Sequence, residues 1–295
     1  MNKRRTGEFK NILMCVGVTA RKQFLSYKTF VVFAIVLIFH WYAFGGVPKI
    51  CEYLGFAIAP WVLPFFNMNP TMYFVVGGMA MLMHCDAPFM DGQTPLLVAR
   101  MGRRAWIVAQ LIYLFLSSAV YVLFHAVSSI IVMMPYVGYS SGWGAVMKGL
   151  ARNTSIPGMA GVTIGFYPYP EFMERFTPFQ AMGWTMLVLW LGTVFIGLII
   201  FLMRIITGKM TGVAIGGFMT ALAYFAAYQG VLVIGKVLYF ISPISWTNIN
   251  LINWGGAPLY PTPAYVLVCY ALLIAVISVL SVKMFCTKDL AWEEI

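Results

Sequence analysis

Long stretches of this chain carry no formal charge. There is none between Glu52 and Asp86, none between Arg104 and Lys148, and none from Val237 to Val282. A soluble domain holds about 25% charged residues, mixed through its surface. Here the figure is 9%, with 61% of residues hydrophobic, so water cannot be the solvent for most of the molecule. The reading that follows is an all-α integral membrane protein. Each spanning helix needs about 20 largely apolar residues, because the hydrocarbon core is ~30 Å thick and each helical residue rises ~1.5 Å.

On that basis the sequence divides into two parts, 1–28 and 29–295. The first is basic, and Phe9, Ile12, Leu13, Val16, Ala20 and Phe24 recur in it at helical spacing. That pattern predicts a helix lying in the cytoplasmic interface, apolar side down. A signal peptide ending at Val18-Thr19-Ala20 is the competing reading. Six spans follow, near residues 29–44, a second ending near His84, then 105–134, 179–203, 211–234 and 264–285. The second is the irregular one. Asn69-Pro70 resembles a helix start, and too few residues separate it from Asp86 to cross a bilayer. A kink at Pro64 or Pro70, or an extra turn beyond His84, would resolve this.

The distribution of basic residues orients the chain. Seven Lys and Arg lie in residues 1–28, three at Arg100–Arg104, and the rest of one group are Arg204, Lys209, Lys283 and Lys288. Only Lys49, Lys148, Arg152, Arg175 and Lys236 fall on the other side. Fourteen against five places both termini in the cytoplasm, in a cell membrane crossed several times. The net charge of +10 and pI of about 9.4 are thereby accounted for without nucleic acid. Cys15, Cys51, Cys85, Cys269 and Cys286 form no metal-binding spacing, and no disulfide is expected.

Two regions lie on the outer side. Residues 136–178 form a long loop with Trp143, Tyr167 and Tyr169. Residues 241–254, uncharged and broken at Pro243, are expected to re-enter the membrane as short half-helices. Asn248, Asn250 and Asn253 should then be hydrogen-bonded, since bare polar groups in lipid cost several kcal/mol each.

One polar insert interrupts the apolar pattern on the inner side: "FMDGQTPLLVARMGRRAW", residues 89–106. Leu97 and Met101 share one side of a short helix with Gln93, and Arg100 and Arg103 adjoin at i,i+3. Physical chemistry alone leaves two readings, an amphipathic helix parallel to the membrane or a plain loop whose arginines enforce topology.

The stretch "MDGQTPLLVARMGRRAWIVAQ" resembles the turn between the second and third spans of type-2 ABC transporter permeases. The order of interfacial helix, six spans and apolar elements before the last span is similar as well. Asp91 stands where Glu is commoner, and the third-to-fourth outer loop is long. The resemblance implies that the insert is a coupling helix. Asp91, Gly92, Gln93, Thr94, Arg100, Gly102, Arg103 and Arg104 would then serve a separate ABC ATPase. ATP and Mg²⁺ would bind that partner, with no cofactor on this chain. The permease would pair with itself or a related permease in the lipid bilayer and export an amphipathic peptide antibiotic, lipid-like molecule or drug.

"GVLVIGKV", Gly230 to Val237, has phosphate-loop spacing but lacks Ser or Thr after Lys236. His125 falls within the third span and needs a partner or a wet cavity. With Tyr224, Tyr228 and Gln229 of the fifth span it is a candidate substrate path or gate. Gly212, Gly216, Thr220, Ala223 and Ala227 form a small-residue stripe suited to a surface gate, a dimer interface or internal packing. The rival class is a membrane-embedded enzyme or assembly factor using His84, Asp86 or His125. No spacing in the sequence brings a nucleophile to a base. An ion-coupled transporter is disfavoured, since no carboxylate falls within a span.

Overall fold

A computed structural model describes residues 2–255 and 259–287. Lys288, counted above among the inner cations, lies outside the described residues. The described chain is helical and contains no strand; Ile58 and Val137 make an isolated parallel bridge. The order is α1 (Asn2–Phe24), α2 (Tyr27–Phe44), α3 (Val47–Leu54), α4 (Leu63–Met68), α5 (Met72–His84), α6 (Thr94–Met101) and α7 (Arg103–Ile131). Then come α8 (Gly144–Arg152), α9 (Ile156–Met159), α10 (Pro170–Arg175), α11 (Pro178–Thr207) and α12 (Thr211–Phe225). A π-helical turn at Ala226–Gly230 joins α12 to α13 (Val231–Val233); α14 (Leu238–Ile241) and α15 (Pro263–Thr287) complete the chain.

Five segments are long and apolar enough to cross a membrane: Tyr27–Leu54, Arg103–Ile131, Pro178–Thr207, Thr211–Val233 and Pro263–Thr287. The molecule is a multi-pass membrane protein by this criterion. The expected second span is different. It is split into α4 and α5 around Asn69, Pro70 and Thr71. The 13 residues of α5 rise only about 20 Å, short of the ~30 Å core. The sequence offered a kink at Pro64 or Pro70; the structure has a full break. Asn69 stabilises it by accepting the Thr71 amide at 3.1 Å and donating to the Gly165 carbonyl at 3.2 Å.

Helix α11 is the central element, two-thirds buried in its apolar window. Its start is set locally. Thr177 accepts the Gln180 amide, Gln180 returns the bond to the Thr177 amide, and Pro178 occupies the first turn. Helix α15 lies at the periphery with 17% of its window buried, and presents Val268, Leu272, Val276 and Val279 outward. Apolar side chains exposed along a membrane-length helix fit hydrocarbon, where water would penalise them.

The small-residue stripe packs inside the chain. A Cβ on Gly212 would stand 2.5 Å from the Ile200 Cα, so α12 and α11 touch backbone to backbone. A Cβ on Gly216 would meet the Met81 sulfur at 3.0 Å, and Thr220 fills the space at Gly77. Of the uses the stripe suits, the structure takes internal packing at Gly212, Gly216, Thr220 and Ala223, all buried.

Residues 136–178 fold into a cap. The Trp143 indole donates to the Met173 and Phe176 carbonyls, both at 3.0 Å, and its ring packs with Phe65 and Phe172. Residues 243–251 form two 3₁₀ turns, and Pro243 to Ile249 are buried throughout. Asn248 donates to the Met68 carbonyl at 3.1 Å and accepts the Asn250 amide at 3.0 Å. The segment is folded against the bundle, with Asn248 paired as expected.

Candidate functional site

The polar insert is built from the turn upward. The Asp91 amide donates to the Thr94 hydroxyl at 2.8 Å, and that hydroxyl donates back to the Asp91 carboxylate at 3.0 Å. The carboxylate also accepts the Gln93 amide at 3.1 Å. These bonds satisfy polar groups just ahead of α6, and Pro95 sits in its first turn, where its missing N–H costs nothing. Val98 and Thr94 are buried, while Leu97 and Met101 are half-buried toward α1.

Helix α1 holds this turn in place. Lys22 bonds the Asp91 carboxylate at 2.6 Å and the Gln93 side-chain oxygen at 2.9 Å. Next to it, Lys28 pairs with Asp86. Partial burial pushes the Asp91 carboxyl up, but the bonds from Lys22 and Thr94 outweigh this and hold it below its ordinary value. Helix α1 in turn packs along α7. Gln110 donates to the Thr19 hydroxyl at 3.1 Å, and Cys15 and Val16 are buried in the same seam. The expected apolar side of α1 is therefore divided. Val16, Ile12 and Ala20 pack inward, whereas Phe9 and Leu13 are exposed with Met14 and Val18, free to meet lipid.

Gly102 joins the insert to the bundle. Its amide donates to the Val98 carbonyl at 2.9 Å, ending α6, and its carbonyl accepts Trp106 at 3.1 Å, starting α7. Its φ of +87° and ψ of 151° are open almost only to glycine. Beyond it Trp106 of α7 stacks on Phe285 of α15 at 5.0 Å, so α6 leads directly into the α7–α15 contact.

The sequence-selected residues separate into two groups. Asp91, Gln93 and Thr94 are engaged within the chain. Gly92, Arg100 and Arg104 are exposed, as is Leu96 at 73%. Arg103 is half-buried and reaches the Cys286 carbonyl at 3.5 Å.

The histidines lie elsewhere and are all buried. His125 Nδ1 meets His40 Nε2 at 3.2 Å, and His40 Nδ1 meets the Ser128 hydroxyl at 2.8 Å. His125 Nε2 has no hydrogen-bond partner among the described residues. His84 donates from Nδ1 to the Ala80 carbonyl at 2.8 Å, which leaves Nε2 to accept from Ser117 or Ser118, at 3.2 and 3.3 Å. Sequence spacing gave no nucleophile beside a base; the fold supplies Ser–His contacts, because the partners come from different helices. Asp86 joins neither cluster, being held by Lys28. Among the described residues no group of three or more His, Cys, Asp or Glu could hold a metal ion.

The fifth-span candidates sit at the far end. Tyr224 packs at tilted angles between Phe74 and Tyr228, at 4.8 and 4.7 Å between ring centroids. Tyr228 and Gln229 lie in the π-helical turn and are exposed. They do not share a site with His125, which contacts Phe66 and Tyr121 instead. Lys236, of the phosphate-loop-like spacing, places its ammonium 4.6 Å over the Tyr260 ring.

Fold and site together define a multi-pass membrane protein with a short amphipathic helix clamped between two of its longer helices. Comparison with family models, with curated proteins and with solved structures returns no match.

Proposed function

We propose that the chain is the membrane-spanning permease subunit of an ATP-driven ABC transporter, exporting an amphipathic substrate while a separate ATPase hydrolyses ATP with Mg²⁺. The observation that carries this reading is α6 itself. It is amphipathic, braced from behind by Lys22 through Asp91 and Gln93, and joined through Gly102 to the 29-residue α7. Its free surface carries Leu96 and Arg100, and Arg104 is exposed beside it in the first turn of α7. A braced helix of this kind transmits force from a docked protein, where a plain loop would absorb it. In this reading α4 and α5 together complete a sixth crossing, both termini are cytoplasmic in the cell membrane, and the subunit works as a homodimer or with a related permease. Closure of two ATPase subunits would tilt α7 and, through Trp106 and Phe285, α15.

A photo-crosslinking residue at Leu96 in native membranes tests this. The reading expects a crosslink to an ATP-binding protein. Crosslinks to lipid alone would contradict it.

The Ser117–His84 contact favours a second reading, a membrane-embedded hydrolase. Against it, Ser117, Ser118 and His84 are at most 1% exposed, and both hydroxyls lie within hydrogen-bond reach of the Leu114 carbonyl. A nucleophile needs access as well as a base. A serine-directed fluorophosphonate probe distinguishes the two: labelling at Ser117 or Ser118 would favour the hydrolase.

A further inference from the structure

At the end of the bundle opposite α6 lies a cavity of about 440 Å³. Pockets of roughly 300–1,000 Å³ take small organic ligands. Four tyrosines line it: Tyr42 from α2, Tyr167 and Tyr169 from the cap, and Tyr228 from the π-helical turn. All four are 47% exposed or more, so their rings are open to a ligand.

Two irregular pieces of backbone meet at this cavity. One is the break between α4 and α5, which contributes Asn69, Pro70 and Thr71; the other is the π-helical turn at Ala226–Gly230. Thr71 and Tyr228 join them, hydroxyl to hydroxyl, at 3.4 Å. Two neighbouring helical segments, α4–α5 and α12, thus lose regularity at one place beside the cavity. Single π-turns are frequent at functional sites, and interrupted helices build the substrate sites of many transporters.

The lining selects the ligand. None of its described residues carries a charge. There is no Lys, Arg or His to pair an anion, and no carboxylate to strip water from a compact metal ion or a primary ammonium. Three of the polar side chains, Asn69, Thr71 and Tyr228, are already committed. Asn69 Oδ1 accepts Thr71, Asn69 Nδ2 donates to Gly165, and Thr71 and Tyr228 face each other. A carbohydrate would find only the Tyr42, Tyr167 and Tyr169 hydroxyls to bond it, with no charged side chain beside them. What remains is several electron-rich ring faces, and these attract a diffuse, weakly hydrated organic cation.

We propose that this tyrosine-lined cavity binds the quaternary-ammonium head of an amphipathic molecule through the faces of Tyr42, Tyr167, Tyr169 and Tyr228. That the bound molecule is cargo rests on the permease reading; the binding itself does not. The exposed tyrosines and the adjoining Phe74–Tyr224 pair would pass the head from the cavity toward α5 and α12, with the apolar tail left in lipid.

The test uses the full chain in nanodiscs and two probes of matching shape, choline and its uncharged isostere 3,3-dimethylbutanol, by titration calorimetry. Choline should bind saturably, and the isostere at least about tenfold more weakly. Tyr228→Ala and Tyr169→Ala should each weaken choline about 2- to 30-fold, while Tyr228→Phe and Tyr169→Phe, which keep the ring, stay within about twofold. Equal binding of the two probes, or no saturable choline binding, would overturn the proposal. That comparison needs no variant, so it stands if an alanine variant fails to fold. It needs no ATPase either. Choline binding without any ATPase association would sink the permease reading and leave the site. Association without choline binding would sink the site alone.

Discussion

Gly102→Ala isolates the link between α6 and α7. A Cβ added at Gly102 would meet no atom within 4 Å, so no packing changes. Only the backbone is strained, because φ +87° with ψ 151° is a region almost closed to other residues. Holding a non-glycine residue there costs about 1–3 kcal/mol. Alanine also stiffens the unfolded chain, which returns about 0.4–1 kcal/mol. The net loss is about 1.3 kcal/mol at the midpoints, and since Gly92→Ala shares the unfolded-chain term, the two variants should differ by about 1–3 kcal/mol. For a chain of this general size each kcal/mol lowers the melting temperature by about 2–4 °C. Gly92→Ala is the internal control, since it sits in the same insert, meets no atom within 4 Å and has no positive φ. Thermal unfolding of both variants in one detergent, followed by tryptophan fluorescence, checks the pair. Gly102→Ala should melt lower than Gly92→Ala by several degrees. Equal melting temperatures would refute the argument that the α6–α7 junction requires a backbone conformation almost closed to other residues.

Two further outcomes follow from the packing and the ion pair. Gly212→Ala should cost about 1–3 kcal/mol by forcing α12 away from Ile200, whereas Gly217→Ala, inside the same helix and meeting nothing within 4 Å, should stabilise by about 0.4–1 kcal/mol; parallel melts compare them. Asp91 titrates below its ordinary value of 3.8, so the stabilisation from Lys22 is present above about that pH and is lost as pH falls through the lowered folded value. Both side chains are 41% exposed, so the contribution is small and screened by salt. Melting temperatures should be level from pH 8 to 5 in this respect. Below pH 4 the wild type should fall toward Asp91→Asn, and 0.5 M salt should narrow the gap between the two at neutral pH.

The apolar helices were legible because their signal is one-dimensional. A charge-free window long enough to cross a bilayer can be seen without knowing any partner, and residues 105–134, 179–203 and 264–285 correspond to α7, α11 and α15 within a few residues. Pro64 and Asn69-Pro70 pointed to trouble in the second expected span, but not to a break, since that depends on Asn69 reaching Gly165 far along the chain. The amphipathic insert was visible in Leu97, Met101 and the arginines. Its brace was not, because Lys22 and Asp91 are 69 residues apart and neither has a distinctive spacing. The same holds for His40 with His125 and for His84 with Ser117, whose contacts exist only once helices pack. The tyrosine cavity escaped notice for a related reason. Tyr228 stood out in its own span, but Tyr42, Tyr167 and Tyr169 are ordinary interfacial or loop tyrosines until the cap folds over α2.

The central claim is that α6 docks a separate ATPase. Arg103 is tied to Cys286, so the informative pair is Arg100 and Arg104, both exposed. The measurement is co-purification of the partner ATPase with Arg100→Glu/Arg104→Glu, together with substrate-stimulated ATP hydrolysis after reconstitution. Reversing charges in a docked contact costs a few kcal/mol, so association should fall by about a hundredfold or more and stimulation should vanish. The chain itself should still insert and melt as the wild type does. Unchanged association and stimulation would contradict the account and leave the insert a topological loop.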